Sequence, residues 1–204
     1  TDIDTLSVYC ATFTGTGAET IVLQYESSPS TFTTLATINP AGGKLTWNEF
    51  SSVTVSSGRK IRFVITVGTG TLLIRQLVVG EKLTMEQGQY QSMTYPTLKA
   101  GTKTSNVQSV NGHILGRSIK REERKGSLDI ENLTASWVRT NWEPFADHAA
   151  RFAFIYAPNQ RDYTDEVAFA VMEGELKAPM NNGRGDRMNV KMPLRMQFAD
   201  ETAV

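Results

Sequence analysis

The chain is poor in the residues that build catalytic and metal sites. Cysteine occurs once, as Cys10, so an intrachain disulfide is excluded. Histidine occurs twice, as His113 and His148, and neither lies at a spacing to other ligand residues that is typical of a zinc site. We therefore predict no metal and no cofactor, and we interpret Cys10 as a small apolar strand residue.

Enzyme signatures are missing as well. The sequence has no phosphate-binding loop, no dinucleotide fingerprint and no nucleophile elbow. Glu173 and Glu175 are two residues apart in a predicted strand, so they share a face, as a glycosidase pair would. Such pairs are common on any solvated strand, and we predict that the chain is not an enzyme.

Neither net charge nor long apolar runs are present. Lys and Arg total 21, and so do Asp and Glu. Binding to phosphates or to an anionic membrane surface requires an excess of cations, so we predict no specific nucleic-acid partner. No segment approaches the roughly 18 unbroken apolar residues of a membrane-spanning helix, and we predict no membrane insertion. A neutral chain tends to associate, which suits an assembly subunit.

Residues 1–83 carry the pattern of a mainly β domain. Short apolar segments such as Leu6–Cys10, Ile21–Tyr25, Phe32–Ile38, Ile61–Val67 and Leu72–Val79 are rich in Val, Ile and Thr and are separated by Gly, Pro and Ser clusters. Strands of this spacing predict a sandwich or jelly roll. Trp47 and Phe50 are candidate sugar contacts there, and packing of Trp47 in the core is the alternative interpretation.

Residues 84–106 are polar and poor in aliphatic side chains, which predicts a linker or extended arm. Tyr90 and Tyr95 are candidate interface residues in this segment. Two interpretations stay open: these tyrosines contact a neighbouring subunit, or they cover the boundary between the chain's own two domains.

Residues 107–204 predict a second β domain, a β-sandwich or barrel-like sheet with one helix laid against it. Segments 112–120 and 126–133 read as two strands joined by a charged turn, and 151–157 and 167–176 as further strands. A stripe at helical spacing predicts a helix near 134–149 that is capped by Thr134 or Ser136 and kinked or divided at Pro144. The stripe consists of Trp137, Val138, Asn141, Trp142, Phe145, Ala146 and Ala149.

The last strand alternates strictly, with Val190, Met192, Leu194, Met196 and Phe198 on one face. Because Pro193 lacks an N–H, we predict that this strand lies at a sheet edge and serves as a joint between subunits. A locally basic run on the hairpin of segments 112–120 and 126–133 supplies further interface candidates, with a solvated hairpin tip as the alternative: Arg117, Lys120, Arg121, Arg124 and Lys125.

Two resemblances sharpen this interpretation. Arg59–Ile65 followed by Leu73–Gly80 resembles the final strands of a galactose-binding-like (discoidin-like) jelly roll, over about residues 3–83. The order of strands, one helix, Phe152–Asn159 and paired strands over 107–198 resembles the tail-tube-like domain of phage distal-tail and minor tail proteins.

The resemblance implies a structural protein of the virion, located in a bacteriophage tail. It implies a homo-oligomer, a hexameric ring, whose partners are other tail proteins, with the jelly roll contacting a virion neighbour or a carbohydrate on the host surface. A free carbohydrate-binding module and a decoration or fibre-anchoring protein are the alternatives.

Overall fold

A computed structural model of the chain describes residues 2–13, 19–39, 44–68, 71–88, 103–121, 124–159, 166–181, 183 and 185–198. The fold is mainly β, as predicted, and every strand pairing among these residues is antiparallel. The first six strands are β1 (Asp2–Phe13), β2 (Thr20–Ser28), β3 (Thr31–Ile38), β4 (Lys44–Thr54), β5 (Ile61–Thr66) and β6 (Leu72–Gly80).

These six strands form two three-stranded sheets that pack face to face. One sheet has the order β4-β1-β6 and the other β3-β2-β5. Leu6 and Val8 of β1 and Ile21 and Leu23 of β2 point between the sheets and are buried, since successive side chains of a strand point to opposite faces. Thr5 and Ser7, on the other face of β1, are buried as well. The core between the sheets consists of Leu6, Val8, Ile21, Leu23, Ala36 and Ile38. We call this unit the N-terminal sandwich.

A short segment, residues 81–88, leads out of the sandwich and is bonded at both ends; we call it the connector. The Lys82 N–H donates to Asp4 Oδ1 (2.7 Å), and Lys82 Nζ donates to Glu49 Oε2 (2.6 Å). Farther along, Met85 packs against the hydrophobic core of the C-terminal half, which contains Trp142, and the Glu86 carboxylate accepts hydrogen bonds from the Thr134 N–H and hydroxyl (2.7 and 3.1 Å). The connector therefore joins the two halves by specific bonds at residues 82 and 86.

The rest of the chain contains seven more strands: β7 (Lys103–Gln108), β8 (Ile114–Arg121), β9 (Arg124–Thr134), β10 (Phe154–Tyr156), β11 (Ala168–Met172), β12 (Met180–Asn181) and β13 (Arg187–Phe198). β7 and β8 pair with each other. β9, β10, β11, β12 and β13 form a five-stranded sheet, the C-terminal sheet.

The predicted helix is present, and its start is the predicted one. α1 (Ala135–Trp137) begins where Thr134 Oγ1 accepts a hydrogen bond from the Trp137 N–H (3.3 Å), so Thr134 is the N-cap. A π-helical stretch, Val138–Trp142, then leads into α2 (Glu143–Ala149). Pro144 is the second residue of α2, which directly follows the π-helical stretch. The helix predicted near 134–149 therefore spans residues 135–149, but the π-helical stretch, and not Pro144, separates its two α-helical parts.

The helices cover one face of the C-terminal sheet. Val138, Trp142, Ala146 and Ala149 are buried against sheet residues, as the predicted stripe requires. The sheet contributes Leu128, Ile130, Leu133, Tyr156, Ala168, Ala170, Val190, Met192, Leu194 and Met196 to this core. Trp142 is its largest fully buried side chain.

The prediction that the last strand is an edge strand is wrong. β13 lies in the interior of the sheet, paired with β9 along one side and with β11 and β12 along the other. The Pro193 carbonyl accepts a hydrogen bond from the Glu173 N–H (3.0 Å), so the backbone of Pro193, including its imide nitrogen, faces the β11 side of β13. Pro193 lies just beyond the last residue pair of β11 and β13, Met172 with Leu194. The missing N–H falls in the gap between β11 and β12, and a proline is accommodated without an edge.

Two predicted boundaries also differ. Residues 103–106, predicted as part of the linker, form the beginning of β7. The strands on either side of the charged turn do not pair with each other in the described residues, because β8 pairs with β7 and β9 with β13. Segments 151–157 and 167–176 shorten to β10 and β11.

Candidate interaction surface

β7 and β8 form a two-stranded ribbon that we call the arm, residues 103–121. Its turn is closed by three hydrogen bonds: Ser109 N–H to the His113 carbonyl (2.8 Å), Gly112 N–H to the Ser109 carbonyl (2.9 Å), and His113 N–H to Ser109 Oγ (3.1 Å). Gly112 has φ of 80°, a conformation that glycine adopts without strain. The turn chemistry of Asn111-Gly112 therefore fixes the arm as a hairpin.

The arm carries large apolar side chains that the described residues leave exposed. Ile114 is 67% and Leu115 is 68% exposed, and Val107 and Val110 are exposed too. Val107 lies opposite Gly116 on one face of the ribbon, while Ile114 lies opposite Gln108 on the other. Apolar side chains on both faces of a two-stranded ribbon are typical of a segment that inserts into a partner.

The arm is also the most basic part of the chain. Residues 87–121 contain five cations and no carboxylate, a local charge of +5, within a chain whose net charge is zero. The five are Lys99, Lys103, Arg117, Lys120 and Arg121. Residues 1–86 and 122–204 together carry the balancing −5.

The basic interface candidates fall on two different strands. Arg117, Lys120 and Arg121 lie on β8 within the arm, whereas Arg124 and Lys125 lie on β9 in the C-terminal sheet. Lys191 Nζ donates to Asp129 Oδ2 at 2.7 Å across the β9–β13 pair, and Lys125 Nζ of β9 donates at 2.8 Å to Oε1 of Glu173, the residue after β11. The structure thus divides the predicted basic cluster between the arm and an ion-paired sheet face.

The remaining interface candidates are placed as follows. Tyr90 and Tyr95 lie outside the described residues. Pro193 is half-buried inside the C-terminal sheet, so the reason for assigning it to an interface, an edge position, no longer holds. In the sequence the arm is marked by an absence of carboxylates together with isolated aliphatic residues. This pattern is unlike that of a catalytic motif.

The two candidate sugar contacts point to opposite faces of one sheet. Phe50 packs against the core of the N-terminal sandwich. Trp47 lies opposite Ser7, on the outer face, and its indole N–H donates to Glu49 Oε1 at 3.0 Å. The hydrogen bond from Lys82 lowers the pKa of Glu49, with a smaller contribution from Trp47. The two aromatic rings therefore do not form a common platform for a sugar.

Within the described ranges, no three His, Cys, Asp or Glu side chains converge as metal ligands would. None of the described helices is long and apolar enough to cross a membrane.

The fold and the exposed arm define a mainly β protein with a candidate protein–protein surface. Comparisons of the chain with protein-family models, with curated proteins and with solved structures found no match.

Proposed function

We propose that the chain is a structural subunit of a bacteriophage tail, of the distal-tail or minor tail type. In this proposal it assembles into a ring of about six copies, with other tail proteins as further partners. The support from the sequence is the resemblance of residues 107–198 to tail-tube-like domains and of residues 3–83 to galactose-binding-like jelly rolls.

The single observation that carries the proposal is the arm. Its exposed Ile114 and Leu115 would be buried if the arm lay on the surface of a neighbouring copy. Such a contact joins two different surfaces of the same chain and is therefore heterologous, and heterologous contacts that close generate rings. The +5 charge of the segment that contains the arm, against −5 elsewhere, favours contact between the arm of one copy and the body of the next.

The test is the native mass of the full chain, measured by light scattering over a concentration series, with negative-stain images of any large species. The arm variant carries Ile114→Ser and Leu115→Ser. The control variant carries Phe152→Ser and Met180→Ser, which remove side chains of similar exposure, 59% and 65%, from outside the arm.

We expect rings from the wild type and from the control, and smaller species from the arm variant. Rings that persist in the arm variant would contradict the role given to the arm. A wild type that stays monomeric at every concentration would contradict self-assembly.

The carbohydrate-binding alternative has less support, because Phe50 is directed into the core and the Trp47 indole is already bonded to Glu49. It makes an opposite prediction: a monomer that binds a glycan, and that loses binding when Trp47 is replaced by alanine. A glycan screen on the same preparations decides between the two.

A further inference from the structure

The turn of the arm contains an asparagine that is followed by a glycine. Because the Gly112 N–H donates to the Ser109 carbonyl, residues 109–112 form a β-turn with Val110 and Asn111 as its central residues. Asn111 and Gly112 are exposed, and Val110 between the two strands is fully exposed. The backbone group that follows Asn111 is therefore a glycine amide in contact with water.

The surroundings of Gly112 leave room for a reaction at its nitrogen. The side-chain amide of an asparagine can react with the backbone nitrogen of the next residue, and the next side chain ordinarily hinders this attack. Gly112 has no side chain, and a Cβ placed on it would meet no heavy atom within 4 Å apart from its chain neighbours. Asn106 in β7 provides the contrast, since it is followed by the branched Val107 and pairs with Arg117 in the ladder.

We propose that Asn111 is a site of spontaneous deamidation and that assembly protects it. The Gly112 nitrogen attacks Cγ of Asn111, a bond between these two atoms closes a cyclic imide, and the Cγ–Nδ2 bond breaks. The proton of the Gly112 nitrogen leaves with the amino group as ammonia. Water then opens the imide, giving aspartate when the new bond breaks and isoaspartate when the original peptide bond breaks. Water is the only reactant consumed, and nothing is oxidised or reduced.

The hydrogen bonds of the closed turn oppose this reaction. The attacking nitrogen must lose its proton, and in the closed turn this proton is bonded to the Ser109 carbonyl (2.9 Å). Two further bonds, between Ser109 and His113, hold the ends of the turn together. Among the described strands the arm pairs only with itself, and an isolated two-stranded ribbon is marginally stable in water. A free arm therefore opens its turn more often than an arm that is covered by a neighbouring copy.

Deamidation changes the arm in two ways. It adds a carboxylate to residues 87–121, which contain five cations and no carboxylate, so their charge falls from +5 to +4. Isoaspartate also adds a carbon atom to the backbone inside the turn, which disturbs the bonds between Ser109 and His113. A copy that stays unassembled thus loses the geometry of its arm with time. This consequence rests on the proposed function of the arm, whereas the reaction at Asn111 does not.

The first experiment measures the reaction itself. The full chain is incubated in mildly alkaline buffer and digested with trypsin at intervals, and a sample digested without incubation sets the starting value. Cleavage after Lys103 and Arg117 releases residues 104–117, a peptide that contains both Asn106 and Asn111. Mass spectrometry locates the conversion of amide to acid. We expect Asn111 to convert at least about tenfold faster than Asn106. Comparable rates, or an unchanged Asn111, would overturn the inference.

The second experiment measures protection by assembly. Wild-type chain is incubated below and above the concentration at which rings form, and Asn111 should convert several-fold more slowly above it. In the variant with Ile114→Ser and Leu115→Ser, which lacks the arm contact, the rate should not depend on concentration. Asn182, which also precedes a glycine but lies outside the arm, is the control within the same chain and should convert equally at both concentrations.

Equal Asn111 rates below and above ring formation would overturn protection by assembly. A wild type that stays monomeric at every concentration would overturn both this protection and the ring, while the comparison of Asn111 with Asn106 still decides the reaction.

The third experiment measures the consequence for the arm. Asn111→Gln keeps an amide at the turn but lengthens the side chain, so that closure of the imide ring is disfavoured. Wild type and N111Q are incubated as monomers, concentrated, and compared by light scattering, with circular dichroism to confirm the fold. We expect N111Q to form rings as the fresh wild type does, and the aged wild type to form fewer. Equal loss of rings in both would overturn the consequence drawn from Asn111.

Discussion

The two halves of the molecule bury their apolar surface to different degrees. The C-terminal core combines fourteen buried residues, among them Trp142, from a five-stranded sheet and the helices on one of its faces. The N-terminal core combines six, all aliphatic, from two three-stranded sheets. The C-terminal sheet places its longest strand, β13, in the interior, whereas the N-terminal sandwich leaves the apolar strand β5 with a single partner among the described strands.

The two halves therefore differ in how far the chain itself covers their apolar surface. A sheet covered by helices satisfies its own apolar face, and its stability depends on packing within the chain. A sandwich with an uncovered apolar edge, like a ribbon with apolar residues on both faces, gains stability when another chain covers it. The exposed apolar elements, β5 and the arm, lie outside the larger core.

The largest expected effect comes from the larger core. Trp142→Ala removes the biggest fully buried side chain and should lower the free energy of unfolding by about 3–5 kcal/mol. Denaturant unfolding followed by circular dichroism measures it. Trp47→Ala, at a half-buried position on the outer face of the sandwich, serves as the control and should cost about 1 kcal/mol. Equal costs for the two tryptophans would remove the distinction drawn between the halves.

The connector tests whether the halves are coupled. Glu86→Ala deprives the Thr134 N–H and hydroxyl of their acceptor at the start of α1, and should cost about 1–2 kcal/mol. Hydrogen exchange at Thr134 should accelerate in the variant, whereas Glu81→Ala, at an exposed position of the same segment, should leave it unchanged. Unchanged exchange in the Glu86 variant would mean that the two bonds contribute nothing to the helix start.

The smallest effect is a pH dependence in the N-terminal sandwich. Hydrogen bonding to Lys82 lowers the pKa of Glu49 below its ordinary value of 4.5, so the folded state favours the carboxylate. The resulting stability is present above that ordinary value and is lost as pH falls through the lower folded pKa.

Because Glu49 is largely exposed, we expect a few tenths of a kcal/mol. The stability difference between wild type and Glu49→Gln should shrink between about pH 6 and pH 3. A difference that stays constant over this range would show that Glu49 does not contribute through its charge.

Elements with a strong period were predictable from sequence. The alternation in β13 correctly predicted that Val190, Met192, Leu194 and Met196 are buried, and the helical stripe correctly predicted the buried face around Trp142. In both elements one periodic signal reports one buried face, and neighbouring residues all agree with it.

Elements without such a face were missed or mispaired. β7, with the sequence Lys-Thr-Ser-Asn-Val-Gln, has no apolar period because it buries no continuous face, so most of it has the pattern of a linker. The edge assignment for β13 failed because Pro193 faces a gap between two short neighbouring strands, which is a property of the pairing and not of the strand itself. Strand partners depend on long-range topology that local sequence does not encode.

The position of β13 in the chain has a consequence for synthesis on the ribosome. β13 follows every strand with which it pairs, since β9, β11 and β12 all precede it. The C-terminal sheet therefore cannot be completed until residues 187–198 have left the exit tunnel, and until then β9, β11 and β12 lack the strand that joins them. β1, the central strand of its own sheet, is made first, so the N-terminal sandwich can fold while the rest of the chain is still being translated.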